Sequence, residues 1–162
     1  MRTKNYKLLN GTAIMAAILC SVQIVWLVIQ SWFISGLGGV DGEINWDNEV
    51  LPFQLTVFTC RLLFCIAYNI AIIIFLIKTM KALKNGIIFP RSNISLLYFT
   101  AICYFIGTLS RDNFDNILLT QTPRATFFAI DSSTILITLL LVVFALLYKI
   151  AADISEENNL TI

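Results

Sequence analysis

Four long apolar stretches, each bounded by charged or amide residues, dominate this 162-residue chain. A helix rises about 1.5 Å per residue, so crossing a hydrocarbon layer of about 30 Å takes about 20 apolar residues. The stretches at about 11–35, 51–77, 93–110 and 125–148 meet that requirement. No water inside a bilayer satisfies backbone N–H and C=O groups, so each spanning stretch must be helical. The expected fold is all-α: an integral membrane four-helix transmembrane bundle, forming a single domain over residues 1–162. Hydrophobic residues make up 58% of the chain and charged residues only 13%, too few to give a soluble core of this size a polar skin. The same composition excludes a disordered chain and a nucleic-acid binder working through a basic surface, so no direct nucleic-acid contact is expected.

Charge sets the expected orientation. Arg2, Lys4 and Lys7 precede the first stretch; Lys78, Lys81, Lys84 and Arg91 occupy the 78–92 connection; Lys149 follows the fourth stretch. The 36–50 connection carries Asp41, Glu43, Asp47 and Glu49 without a base, and the third connection has Arg111 and Arg124 beside Asp112 and Asp115. Eight basic residues against two place both termini in the cytoplasm by the positive-inside rule. The apolar run from Ala13 to Ile34 exceeds a signal-peptide core of about 7–15 residues, so it reads as an uncleaved first span. The sequons at Asn10, Asn93 and Asn159 then fall on or near the cytoplasmic side and read as chance matches.

Ionisable and amide groups within the apolar stretches are the candidate site residues, because a charge is costly in hydrocarbon. Gln54, Phe58, Arg61, Cys65 and Tyr68 recur at spacings of four, three, four and three, which puts them on one helix face beside Asn69. Arg61 lies ten residues into the second stretch. Asp131, whose face continues through Thr134 and Thr138, is its expected partner, with Gln30 and Tyr104 as further ones. Two roles stay open for that cluster: a clasp locking the helices together, or a ligand or ion site. Gln23 and Gln30, seven apart, read as interhelical hydrogen-bonding groups. The acidic 36–50 connection lacks an EF-hand pattern and reads as a solvated loop.

Enzyme chemistry finds little support. The chain has no His and no HExxH, GxSxG or Walker pattern, and no cofactor is implied. Cys20, Cys60, Cys65 and Cys103 all lie in apolar runs and read as small buried hydrophobes. No repeat relates the two halves, which weakens an inverted-repeat transporter.

The tail 149–162 continues the fourth stretch, with Ile150 and Ile154 at helical spacing, and ends in acidic and amide residues before a small apolar terminus. Asp153, Glu156, Glu157, Asn158 and Leu160 are its candidate partner-binding residues. The segment Leu83-Lys84-Asn85-Gly86-x-x-Phe89, with Asn93 after it, and the ending Glu156-Glu157-Asn158-x-Leu160-Thr161-Ile162 resemble domain-of-unknown-function family 2975, small bacterial membrane proteins with four spans. In this chain Ile94-Ser95-Leu96-Leu97 stands where the family has a basic cluster after that Asn. The resemblance implies no catalytic residue. It implies a bacterial cytoplasmic-membrane location and a small cytoplasmic helix-turn-helix regulator as partner. The leading expectation is a regulatory or interaction protein presenting the basic loop and acidic tail to that partner. The alternative is a transporter, channel or small-ligand binder, which would need a homo-oligomer to build a pore.

Overall fold

The computed structural model describes the backbone of residues 2–34, 51–113 and 130–160, and the side chains within 7–33, 51–113 and 130–157. The acidic 36–50 connection, Asp115, Arg124 and the side chains of Asn158 and Leu160 lie outside the described residues. Four helices make up the description: α1 (Arg2–Ile34), α2 (Leu51–Lys84), α3 (Ser92–Asp112) and α4 (Ser132–Leu160). Each is long and apolar enough to cross a membrane.

The turn from α2 to α3 follows from a few residues. Lys81 and Lys84 stand in the last turn of α2, where cations complement the helix dipole. Gly86 then takes φ +80°, a left-handed conformation that glycine adopts without a Cβ penalty. Its N–H reaches the Leu83 carbonyl at 3.1 Å and the Ile87 N–H reaches the Ala82 carbonyl at 3.0 Å, closing a Schellman cap. Pro90 follows, and α3 starts at Ser92. At the other end of α3, Asn113 caps the helix through Nδ2 to the Leu109 carbonyl at 2.8 Å.

The interior is small and polar, and the exterior is large and apolar. Buried positions include Ala71, Ala101, Ala145, Ala152, Asn69, Asn93, Thr100 and Thr108, whereas Ile18, Trp26, Ile102, Leu136, Leu139, Leu140 and Leu147 face outward. That pattern inverts a soluble core; in a hydrocarbon solvent Leu and Ile would need no helix to cover them, which leaves the helix contacts to small residues. Hydroxyls within the helices satisfy themselves on the preceding turn, as Thr79 does on Phe75, Thr108 on Tyr104 and Thr138 on Thr134.

The closest packing couples neighbours in sequence: α2 with α3 most extensively, then α3 with α4 and α1 with α2. The bundle is therefore open, with α3 its most enclosed member. Along the described part of α1 only Ala13 and Ser31 are buried. In a hydrocarbon solvent its large apolar side chains would need no neighbouring helix to cover them.

The α2–α3 contact is set at one point. A Cβ added at Gly107 would lie 3.0 Å from the Cys65 backbone nitrogen and 3.2 Å from the Phe64 carbonyl carbon. Gly107 and Cys65 thus lie level. Because the two helices run in opposite directions, Arg111 and Arg61, each four residues from that point, lie level with one another one turn away.

Candidate functional site

The buried face of α2 carries Gln54, Val57, Arg61, Cys65 and Asn69 at helical spacing. Tyr68 is half-buried at its edge. Arg61 is only 5% exposed, and its Nη2 donates to Gln30 Oε1 of α1 at 2.9 Å. The amide of α1 therefore holds the guanidinium, as one of the expected contacts has it.

The expected Arg61–Asp131 pair does not form. Asp131 precedes α4 and is exposed. Its carboxylate accepts from the Ser133 backbone N–H at 3.2 Å and from the Ser133 hydroxyl. Those two bonds hold its carboxyl below the usual carboxylate range. The residue is an N-cap, satisfying donors that the first turn of α4 would leave orphaned. Tyr104 does not reach Arg61 either. Its ring meets Tyr68 edge-on, with centroids 5.5 Å apart. Asp131→Ala should therefore fray the first turn of α4 and leave the Arg61–Gln30 contact in place. Amide exchange should quicken at Ser133 and Thr134 with no change along α2. Faster exchange around Arg61 would restore the paired reading.

At this end, among the described residues, Asp112 is the carboxylate that joins α3 to α4. Its Oδ2 accepts from the Thr134 hydroxyl at 2.8 Å, while Oδ1 takes Arg111 Nη2 at 3.2 Å. Arg111 also lines a cavity of about 250 Å³ with Gln23, Trp26, Leu27 and Gln30 of α1 and Arg61, Cys65, Tyr68 and Asn69 of α2. In the sequence, Arg111, Asp112 and Asp115 are charges of the third connection, a cluster that reads more readily as a solvated helix end than as a site for chemistry. The place of Arg111 and Asp112 in a polar cluster depends on the Gly107 register, which no local pattern reveals.

A second cluster sits at the opposite end, around the α2–α3 turn. Arg91 Nη2 meets Asp153 Oδ1 at 2.8 Å, and its Nε meets Glu156 Oε1 at 2.9 Å. The tail is thus a continuation of α4 fastened to the turn. All three side chains are about half exposed, so each pair adds about 0.2–1 kcal/mol at most. Their main effect is to fix geometry. Beneath them, Asn93 is fully buried and donates through Nδ2 to the Thr79 hydroxyl at 2.8 Å, with Tyr148 Oη at 3.4 Å. The Tyr148 ring packs edge-on against Phe75 and Phe89, with centroids 5.8 and 5.4 Å away. A recess of about 640 Å³ opens between the turn 85–92 and Ala152, Ser155 and Glu156. Glu157 is exposed beyond it.

No group of three or more His, Cys, Asp or Glu side chains among the described residues is placed to hold a metal ion. No family model, curated protein or solved structure matches the chain.

Proposed function

We propose that this is a multi-pass membrane interaction protein of regulatory type, displaying one composite recognition face at its basic end. The observation that carries the reading is the double ion pair of Arg91 with Asp153 and Glu156. It joins the basic turn and the acidic tail, distinct features in the sequence, into a single pre-ordered surface around the 85–92 recess. Pre-ordering lowers the entropy a partner must overcome on binding. The positive-inside rule places this face, with both termini, in the cytoplasm. The partner proposed is a small helix-turn-helix regulator, and membership of the four-span family is part of the same proposal. Three residues that carry the resemblance have a place here: Gly86 makes the turn, Phe89 packs on Tyr148, and Glu156 holds Arg91.

The test is capture from native membranes in mild detergent, with partners identified by mass spectrometry. Removal of residues 158–162 leaves the Arg91 pairs intact, whereas Arg91→Glu breaks them and sets like charges together. Both changes should abolish capture of the regulator while the protein still inserts. Undiminished capture after the shortening would dismiss the tail as a recognition segment. A small-ligand role is the second reading. It is favoured by the polar cavity at the other end, between α1, α2 and α3.

A further inference from the structure

At the basic end, a groove between α1 and α2 is apolar along its walls and basic at its mouth. Ala13, Ile14 and Ala17 of α1 line it with Leu76, Ile77 and Met80 of α2, around a volume of about 330 Å³. Ile14 and Ile77 are more than half exposed, so the groove is open along its flank. Asn10 precedes these residues on α1, and Lys81 and Lys84 follow them on α2, so the three polar side chains of the lining gather at one end. Among the described residues neither lysine has an ion-pair partner. Asp153 and Glu156 of the tail are held by Arg91.

The α2–α3 register fixes the level of that mouth. Gly107 and Cys65 lie level. Fifteen residues separate Gly107 from Ser92, where α3 begins, and fifteen separate Cys65 from Met80. The antiparallel helices therefore bring Met80 level with the start of α3. The 21 residues of α3 rise about 31 Å, close to the hydrocarbon thickness of about 30 Å. With α3 crossing the hydrocarbon, Leu76 and Ile77 lie within it, Met80 marks its boundary, and Lys81 and Lys84 stand just beyond. The ammonium groups are thus at the level of lipid phosphates, and the apolar walls run where acyl chains run. A lysine holds a phosphate as a point charge, and the Asn10 amide offers two N–H donors beside it.

We propose that this groove holds one anionic phospholipid of the adjoining leaflet, its phosphate at Lys81 and Lys84 beside Asn10 and the upper part of an acyl chain along Ala13, Ala17 and Ile77. Charge complementarity selects this occupant. A free anion would use the lysines and leave the apolar walls uncovered. An apolar helix of a partner would cover the walls and set two ammonium groups against it without a counter-charge, which is costly. An anionic phospholipid meets both parts of the lining. The groove shares no lining residue with the recess beside the Arg91 clasp, so the lipid and the proposed regulator occupy separate faces.

The experiment uses the full chain in neutral detergent with phosphatidylglycerol and phosphatidylcholine offered in equal amounts, and native mass spectrometry reads the lipid retained. Phosphatidylglycerol should be retained over phosphatidylcholine. Lys81→Gln with Lys84→Gln should weaken that retention about tenfold. Lys78→Gln with Lys149→Gln is the control. It removes the same charge from exposed positions at the same end, outside the groove, and should leave retention unchanged. Ala17→Leu fills the apolar wall with every charge in place and should also weaken retention. Ile14→Trp does so from the exposed rim, clear of the α1–α2 contact, and serves where the leucine variant fails to fold. Unfolding midpoints without lipid establish that each variant is folded. An equal loss in the two double lysine variants would reduce the effect to general attraction by the basic end and overturn the proposal. Undiminished retention in the folded groove-filling variants would remove the acyl chain from the groove and overturn it as well. So would equal retention of the two lipids by the parent protein.

Discussion

Gly107→Leu should destabilise the protein by about 1–3 kcal/mol, the usual cost of overpacking a filled interior. Even the first carbon of a side chain would lie 3.0 Å from the Cys65 backbone nitrogen, 3.1 Å from Cys65 Sγ and 3.2 Å from the Phe64 carbonyl carbon. Two of those three atoms are backbone, so no rotamer change relieves the contact and α2 must move from α3. Gly107→Ala should give a smaller effect of the same sign, because it asks for a shift of a few tenths of an ångström. Cys65→Ala removes only Sγ and should not rescue the leucine variant. The unfolding midpoint in detergent is the measurement. A leucine variant with the parental midpoint would mean that the α2–α3 contact is looser than this register. The consequence extends beyond stability, since the same contact sets Arg61 level with Arg111.

That coupling shows what a linear reading reaches. The buried stripe through Gln54, Arg61 and Cys65 is visible from helical spacing alone, because a 3.6-residue period is a local property. Gln30 was within reach for the same reason: an amide in an apolar helix needs a partner on a neighbouring one. The Asp131 assignment failed over a helix boundary. Apolar content places the start of the fourth span near Ala125, which sets Asp131 about two turns inside it. The described helix begins at Ser132, and Asp131-Ser132-Ser133-Thr134 is an N-cap sequence in its own right. The capping signal was present, and hydropathy outweighed it. The Arg91 clasp was illegible for a different reason. Its partners lie 62 and 65 residues away, and only the continuation of α4 past the apolar stretch brings them to the turn. Asn93 presents the same difficulty, since its sequon reading gives no hint that the side chain is fully enclosed.

Asn93→Asp should be the most damaging single change at the basic end. The Asn93 amide donates to Thr79 Oγ1 at 2.8 Å, and Thr79 in turn donates to the Phe75 carbonyl at 2.8 Å. An ionised carboxylate there would lose the donor that Thr79 accepts from and would face only the hydroxyls of Thr79 and Tyr148. Its nearest basic neighbour in sequence, Arg91, is held by Asp153 and Glu156. An uncompensated buried charge costs about 3–5 kcal/mol. The penalty attaches to the ionised form alone, so it should be full near neutral pH and shrink as acid protonates the new carboxyl. Asn93→Leu separates charge from shape. It removes a hydrogen bond worth about 0.5–1.5 kcal/mol, but also removes Asn93 Oδ1, a buried acceptor without a partner. Those effects oppose one another, so the leucine variant should stay close to the parent at every pH. Unfolding midpoints of the two variants between pH 5 and 8 decide the matter. A pH-independent loss shared by both would make Asn93 a packing residue whose amide carries no special role. A loss confined to the aspartate and relieved by acid would establish that this end of the helices excludes water. A rigid, dry base is what the Arg91 clasp needs if it is to hold the turn and tail as one face.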